Sequence, residues 1–482
     1  MSKKILIISD SVTNQTGYST VASNIMKHVS DGNIIGHLGF ATNLEIPTPK
    51  DVHCYTTTFR HKDCGLKDVI HYYFDDKVEY ITPTLECSSV ASLPVDKQCK
   101  CGHGIDQGYA ESSVFYVIQH FKPDIVVSIN DVWGIHHINY LKSRRNFKHI
   151  AYLAIDSECF PYKMPTKHGI LNTIEFLSST DKVVVFTDWA KETIHTTVKL
   201  LTGGKVPSNL EVIPHGVDTN DFFPIDDKVN LRKKYFGNTP GIEDAFLLGC
   251  VARNQPRKRL DAIFQTLRLL IDKYEKKGGK KFMAHFHCVM KEPIGWDLLW
   301  LAQYYGVNER CIFDDNLKPL TGVDIQTLNE IINTYDVHLL PTNSEGWGLP
   351  ILESMACGVP NVISNYSAHG DWAKGTALMI KLAAKIHDPG TNHIKGIVDI
   401  EHAAKQISLL YNSKKMHRDY SRRGIKLANK LQWKNVCDEW NTLFDVTEID
   451  ENPDKYDVIT FKGDIQPLPD NPIETEFELM EG

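Results

Sequence analysis

The sequence predicts an α/β fold made of two successive, doubly wound Rossmann-like domains that face each other across a crevice. Two observations predict it. Short runs rich in Val, Ile and Leu recur between longer amphipathic stretches, as parallel strands buried on both faces by crossover helices should. The pattern breaks once, at PHGVDTNDFFP (Pro214 to Pro224), where two prolines and a glycine follow a strand and precede a charged helix start.

In the first half the expected strands are Lys4 to Ser9, Asp124 to Ile129, His149 to Ile155, Lys182 to Phe186 and Leu210 to Ile213. In the second they are Phe246 to Ala252, Phe282 to Val289, Cys311 to Phe313, Val337 to Leu340 and Pro360 to Ile363. This divides the chain into a first domain over 1–218 and a second domain over 219–432. A helical pattern over 433–448, with Trp433, Val436, Trp440 and Leu443 at spacings of three and four, is expected to pack back on the first domain. The stretch 46–108, rich in Cys, His, Thr and Pro, reads as an irregular insertion.

The 482 residues, 42% hydrophobic and 23% charged, suffice for two or three ordinary cores. The net charge of −7 is local: residues 449–482 carry ten acids against two lysines, which reads as an acidic surface tail and leaves the body close to neutral. A neutral body excludes the concentrated basic face of a general nucleic-acid binder. No apolar run is long enough to cross a bilayer, so any membrane contact is expected to be peripheral. Eleven cysteines, an odd number with Cys250, Cys288 and Cys357 in buried-looking segments, fit a reducing, cytoplasmic setting.

The most informative segment is LLPTNSEGWGLPILESMACGVPNVIS, Leu339 to Ser364. A buried strand ends at Pro341, and a helix with Pro350 in its first turn follows Gly348. Free backbone N–H groups of Gly348, Leu349 and their neighbours would then aim into the crevice, where a positive helix terminus holds a diphosphate. Gly346 and Gly348 permit close approach of a ligand to the backbone around Trp347. Glu345 and Glu353 bracket the loop; each taken alone is also what a helix N-terminus favours through its dipole.

This segment resembles the E-x7-E signature of retaining GT-B glycosyltransferases of family 4 (glycosyl transferases group 1), with EG-W-GLP-x-x-E-x-MACG-x-P nearly intact from Glu345 to Pro360. The resemblance implies GT-B architecture, a GDP- or UDP-sugar donor, a glycan or other hydroxyl acceptor and transfer with retention. It also implies that Glu345 lies by the donor sugar, that Glu353 contacts the ribose, and that Gly346, Trp347, Gly348, Leu349 and Pro350 line the donor.

ARNQPRKRL, Ala252 to Leu260, directly follows a buried strand. Arg253 and Lys258, five apart at the sheet's mouth, can neutralise a diphosphate and steady the leaving nucleotide. The run resembles the family's R-x4-K element, although a basic run alone is more often a solvated patch. SDSVTNQTGYST, Ser9 to Thr20, lacks G-x-G-x-x-G; its Gly17 resembles the family's glycine-containing loop, with Tyr18 beside it on the acceptor side. LAIDSECFP puts Asp156 where many family members carry histidine, and resembles an I-D-x-E-x-x-P pattern of some branches. Asn130 and Asp131, after DIVVSI, are acceptor-side candidates that could equally cap the next helix. VIPHGVD resembles the family's interdomain segment and is assigned a hinge role.

No cofactor is expected. With two cations and a helix terminus available for the diphosphate, and no D-x-D element in a metal-binding context, the chemistry needs no metal. The cluster Cys87, Cys99, Cys101 and His103 lacks paired C-x2-C spacing, and His136 and His137 are adjacent, so neither set reads as a metal site. A nucleotide-sugar epimerase or hydrolase on the same fold, and a non-catalytic nucleotide-sugar binder, remain the alternatives.

Overall fold

The computed structural model describes residues 2–449 except 13, 15, 30–31, 41–50, 59–68, 75–76, 81–110, 144, 159–162, 167–168, 205–206, 315–316, 318–321 and 389–392. The Cys87, Cys99, Cys101 and His103 cluster and the acidic tail lie outside the described residues.

The first sheet has nine strands. In chain order they are β1 (Lys4–Asp10), β2 (Ile34–Phe40), β3 (His53–Thr58), β4 (Val69–Phe74), β5 (Lys77–Tyr80), β6 (Ile125–Ile129), β7 (Lys148–Leu153), β10 (Lys182–Val185) and β11 (Leu210–Val212), with a small hairpin, β8 (Lys163–Thr166) and β9 (Gly169–Asn172), between β7 and β10. Their order is β11-β10-β7-β6-β1-β2-β3-β4-β5. The strand β1 explains why the sheet is buried on both faces. Pleating sends Ile5 and Ile7 into one apolar cluster and Leu6 and Ile8 into another, all fully buried.

The second sheet is all parallel: β12 (Phe246–Val251), β13 (Phe282–His287), β14 (Cys311–Phe313), β15 (Val337–Leu340), β16 (Asn361–Ser364) and β17 (Leu378–Ile380), in the order β14-β13-β12-β15-β16-β17. An antiparallel hairpin, β18 (Leu382–His387) and β19 (Ile394–Val398), follows it. Behind this sheet the buried Arg232 donates to Asp336 Oδ2 at 2.6 Å and to the carbonyls of Thr334 and Ala245, both at 2.9 Å, so its charge is fully partnered. Among the described residues no helix is long and apolar enough to cross a membrane.

Two departures from the sequence reading stand out. The stretch taken as an irregular insertion contributes β3, β4 and β5, which extend the sheet, β3 in parallel with β2 and the other two antiparallel. The strand β2, IIGHLGF, was missed because two glycines and a histidine interrupt its apolar run; it is paired along its whole length with β1.

The chain crosses between the sheets twice, and the crossings are bonded to each other. Val217 N donates to Leu431 O at 2.8 Å and Trp433 N to Val217 O at 3.2 Å. The helix Trp433–Val446 then lies against the helix Gly17–His28 of the first domain, with Trp433, Val436, Trp440 and Leu443 all buried. Lys3 from the start of the chain closes its C-terminus, its ammonium bonded to the carbonyls of Phe444, Asp445 (3.1 Å) and Thr447 (2.9 Å), where a cation suits the helix dipole.

Gly216 is required at this double crossing. A Cβ there would lie 2.7 Å from Trp433 N and 2.8 Å from its Cα, backbone atoms that cannot swing aside. Gly216→Ala is expected to cost roughly 1–3 kcal/mol, the usual range for overpacking. A denaturant midpoint equal to wild type would mean that the two crossings separate freely.

Candidate functional site

The site is assembled from the loops that leave β12 and β15. The two are stitched together: the Arg257 carbonyl accepts from Asn343 N and from Thr342 Oγ1, each at 2.8 Å. This holds Glu345 against the cations of the β12 loop. Lys258 Nζ bonds Glu345 Oε1, and Arg257 Nη1 stands 3.1 Å from Oε2. Burial alone would raise the Glu345 carboxyl, but Arg257 and Lys258 bring it down to about 2, so the buried side chain is an anion at neutral pH. Lys258 is lowered by its burial and by Arg257, with Glu345 opposing both.

Beyond Glu345 the chain turns at Gly348, whose φ of +87° demands glycine, into the helix Leu349–Ala356. That turn points the helix N-terminus into the crevice, with Leu349 and Pro350 in its first turn. Glu353 lies one turn on. Enclosure of its carboxyl, with no cation set against it, pushes it up to about 7.

The first domain closes over these loops. A Cβ on Gly346 would lie 3.2 Å from Ala154 Cβ, and one on Gly17 would lie 3.8 Å from Leu349 Cδ1. Ser344 Oγ donates to Asp156 Oδ2 at 3.2 Å, and Lys395 of β19 reaches both, at 3.0 Å from the hydroxyl and 3.7 Å from the carboxylate. Ser157 Oγ donates to Ile394 O at 3.0 Å, and Lys385 pairs with Glu158 at 2.5 Å, so the β18–β19 hairpin clamps the segment after β7.

Among the residues expected on the acceptor side, Asp131 is hydrogen-bonded to Tyr18. Burial first, and then the charge of Asp156, push Asp131 up to about 7. Burial and the charges of Asp131 and Asp10 raise Tyr18 well above a free phenol. Asp10, at the end of β1, accepts from Thr16 Oγ1 at 2.6 Å and is raised by burial. Asn130 is buried, and its Oδ1 accepts from Asp131 N at 2.8 Å, an internal bond rather than a helix cap.

Two expected positions differ. Arg253 is exposed and paired with Glu292, Nη2 to Oε2 2.9 Å, so it stands aside from the Glu345 cluster. Trp347, expected along the donor, has its ring stacked on Trp372 (4.6 Å between centroids, 13° between planes) and is 4% exposed. Its work is packing: the ring also meets His215 of the hinge at 5.4 Å. Arg257, Asp10, Ser344 and Lys395 were missed. Only Arg257 left a signal, as a member of the basic run; the others come together through tertiary contacts alone.

The arrangement defines a class: two Rossmann-like domains in GT-B fashion, with a cationic, helix-N-terminal pocket on one side of the crevice and carboxylates on the other. Comparison with known proteins agrees. Residues 245–387, within the second sheet's part of the chain, match the model of the family described as Glycosyl transferases group 1. The O-antigen biosynthesis glycosyltransferase WclY of Escherichia coli is 28% identical over 233 residues, 48% of this chain and 56% of that protein. A D-inositol 3-phosphate glycosyltransferase of Kribbella flavida is 26% identical over 247 residues, 48% of this chain and 55% of that protein. The chain thus spans about half the length of the curated relatives it matches. In fold it is similar to Anabaena Alr3699/HepE, solved with UDP and glucose (TM-score 0.60, 12% identity, 92% of this chain and 100% of that one). The sucrose-phosphate synthase of Thermosynechococcus elongatus is similar too (TM-score 0.59, 13% identity, 92% and 98%).

The raised Glu353 yields a signed expectation. The folded protein holds this proton up to about pH 7, whereas the unfolded chain releases it near 4.5, so stability is lost as pH rises through that window. Glu353→Gln should therefore stabilise the ligand-free protein at pH 8, by on the order of 2 kcal/mol, and much less at pH 5. Thermal unfolding at the two pH values checks it; an equal effect at both would place the carboxyl in contact with water.

Proposed function

We propose that the chain is a retaining glycosyltransferase of family 4 that moves a sugar from a nucleotide diphosphate sugar, GDP- or UDP-linked, to a hydroxyl of a glycan or other acceptor without a metal ion. The observation that carries this reading is the buried Glu345 carboxylate, held ionised by Lys258 and Arg257 beside the N-terminus of the helix Leu349–Ala356.

On this reading the diphosphate lies against the helix N-terminus, and Arg257 and Lys258 balance the charge that grows on it as the glycosidic bond breaks. Arg253, swung off Glu292, would add a third cation. Glu345 then faces the donor sugar and Glu353 the ribose. The acceptor enters between the domains beside Tyr18, Asp131 and Asp156, where closure excludes water that would otherwise take the sugar. On this reading the acceptor attacks on the face from which the nucleotide departs, and a diphosphate oxygen takes the acceptor's proton. The relatives named as glycosyltransferases support the reaction class. The UDP and glucose bound to the similarly folded Anabaena protein support a nucleotide-sugar donor.

Incubation with UDP-, GDP-, ADP- and dTDP-sugars, followed by nucleotide release and thermal shift, tests the proposal. One donor is expected to give both signals, and Glu345→Gln to reduce release by roughly 10²–10³-fold, the usual loss on removing a preorganised electrostatic partner, while the fold persists. A Glu345→Gln protein of normal activity would sink the assignment. Binding without release in the presence of an acceptor panel would instead favour a nucleotide-sugar binder.

Lys258→Ala is expected to lower turnover at saturating donor by a similar factor, since it removes a cation and leaves Glu345 facing Arg257 alone. A rise in KM with unchanged kcat would show that Lys258 serves binding only.

A further inference from the structure

His285 and His287 stand two apart on β13, so the pleat turns both imidazoles to the same face of the second sheet. Asp314 directly follows β14, the edge strand paired with β13, and its carboxylate lies between the rings. Its Oδ1 is 3.1 Å from His285 Nε2 and its Oδ2 is 2.5 Å from His287 Nδ1. One atom from each of the three residues falls within 4.8 Å of the others. On the far side of the His285 ring, Nδ1 meets Tyr335 OH at 2.8 Å.

We propose that His285, His287 and Asp314 form a binding site for one zinc-class divalent ion, separate from the transfer crevice, which secures β13 to β14. Two imidazole nitrogens and a carboxylate oxygen are the donor set that such ions prefer. Bonds of about 2.0–2.2 Å in a tetrahedron place the ligand atoms about 3.4 Å apart, a spacing that the contacts at 3.1 and 2.5 Å and the 4.8 Å limit on all three separations bracket.

Binding exchanges tautomers. The Nε2 lone pair of His285 and the Nδ1 lone pair of His287 turn to the ion, and their protons move to the opposite ring nitrogens. For His285 that nitrogen is the one against Tyr335, the outer partner that orients a ligating histidine. His285 is fully buried, His287 is 8% exposed, and the Asp314 side chain is 25% exposed, so the ion's entry and its fourth ligand, water, lie on the Asp314 side.

The site is two strands removed from β15, which leads to Glu345, and one strand removed from β12, whose loop carries Arg257 and Lys258. Its reach is mechanical. The loop leaving β13 carries Glu292, the partner of Arg253, and an ion on His287 would fix the root of that loop.

The test uses the full chain, stripped with chelator, dialysed against Zn²⁺ and then against buffer, with retained metal measured by elemental analysis and Co²⁺ substitution followed by its visible spectrum. Wild type is expected to retain one more ion per chain than His287→Ala or Asp314→Asn, and its Co²⁺ form to show the intense visible bands of a tetrahedral site, which the variants lack. Asp314→Asn keeps the shape of the side chain and carries the comparison should His287→Ala fail to fold. Equal retention by wild type and variants, or a Co²⁺ spectrum without those bands, overturns the proposal. Metal content is read without any donor or acceptor, so the result stands apart from the fate of the transferase assignment.

Discussion

The site depends on the ion cluster of Glu345, Lys258 and Arg257. A carboxylate as buried as Glu345 survives as an anion only because two cations meet it, and removing either partner from such a cluster typically costs 3–5 kcal/mol. The same penalty fixes geometry. Lys258 and Arg257 can reach Glu345 only while the β12 loop and the β15 loop stay in register, which the paired bonds to the Arg257 carbonyl ensure. The cationic face is therefore organised before any ligand arrives, and reorganisation is not left to the reaction.

Across the crevice the charge is reversed. Asp10, Asp131 and Asp156 project from the carboxyl ends of β1, β6 and β7, and burial raises Asp131 and Asp10. Arg257 lowers Asp131, so the two faces compensate one another in the closed, ligand-free molecule. A diphosphate laid against Arg257 and Lys258 would satisfy one face and leave the other under-compensated. Groups able to donate hydrogen bonds to those carboxylates would then be the favoured occupants of that face.

Much of this was legible in the sequence. Most of the parallel strands of both sheets announce themselves as recurring apolar runs, because a strand buried on two faces cannot hide its composition, as FLLGCV of β12 illustrates. Glu345, Glu353, Lys258 and the glycine turn at Gly348 were likewise readable, since strand end, loop and helix start are contiguous in the chain. What escaped was non-local. Lys395 reaches Asp156 from a hairpin more than two hundred residues away, and Ser344 acquires meaning only from that contact. The strands β3 to β5 carry threonine, tyrosine and histidine in place of a long aliphatic run, so a search for aliphatic runs passes over them. The packing of the Trp347 indole on Trp372 and against His215 was not legible for the same reason, since both partners come from other segments of the chain.

That indole couples the hinge to the donor loop. His215 lies among Tyr152, Phe186, Trp347 and Trp433, with ring centroids 4.0 to 5.9 Å away, and neither of its nitrogens finds a hydrogen-bond partner. Burial drives its pKa down to about 3, so it stays neutral and packs as an aromatic ring at any physiological pH. Tyr152 supplies the polar anchor, its hydroxyl donating to the carbonyl of Ile213 at 2.8 Å at the first crossing. One face of this aromatic set belongs to the first domain, one to the helix that returns from the second crossing, and one, through Trp347, to the loop that bears Glu345. Rotation of the domains must slide these rings over one another, and packed rings have few low-energy arrangements. Any change in the angle between the domains would therefore have to repack the rings around Trp347, next to the loop that bears Glu345.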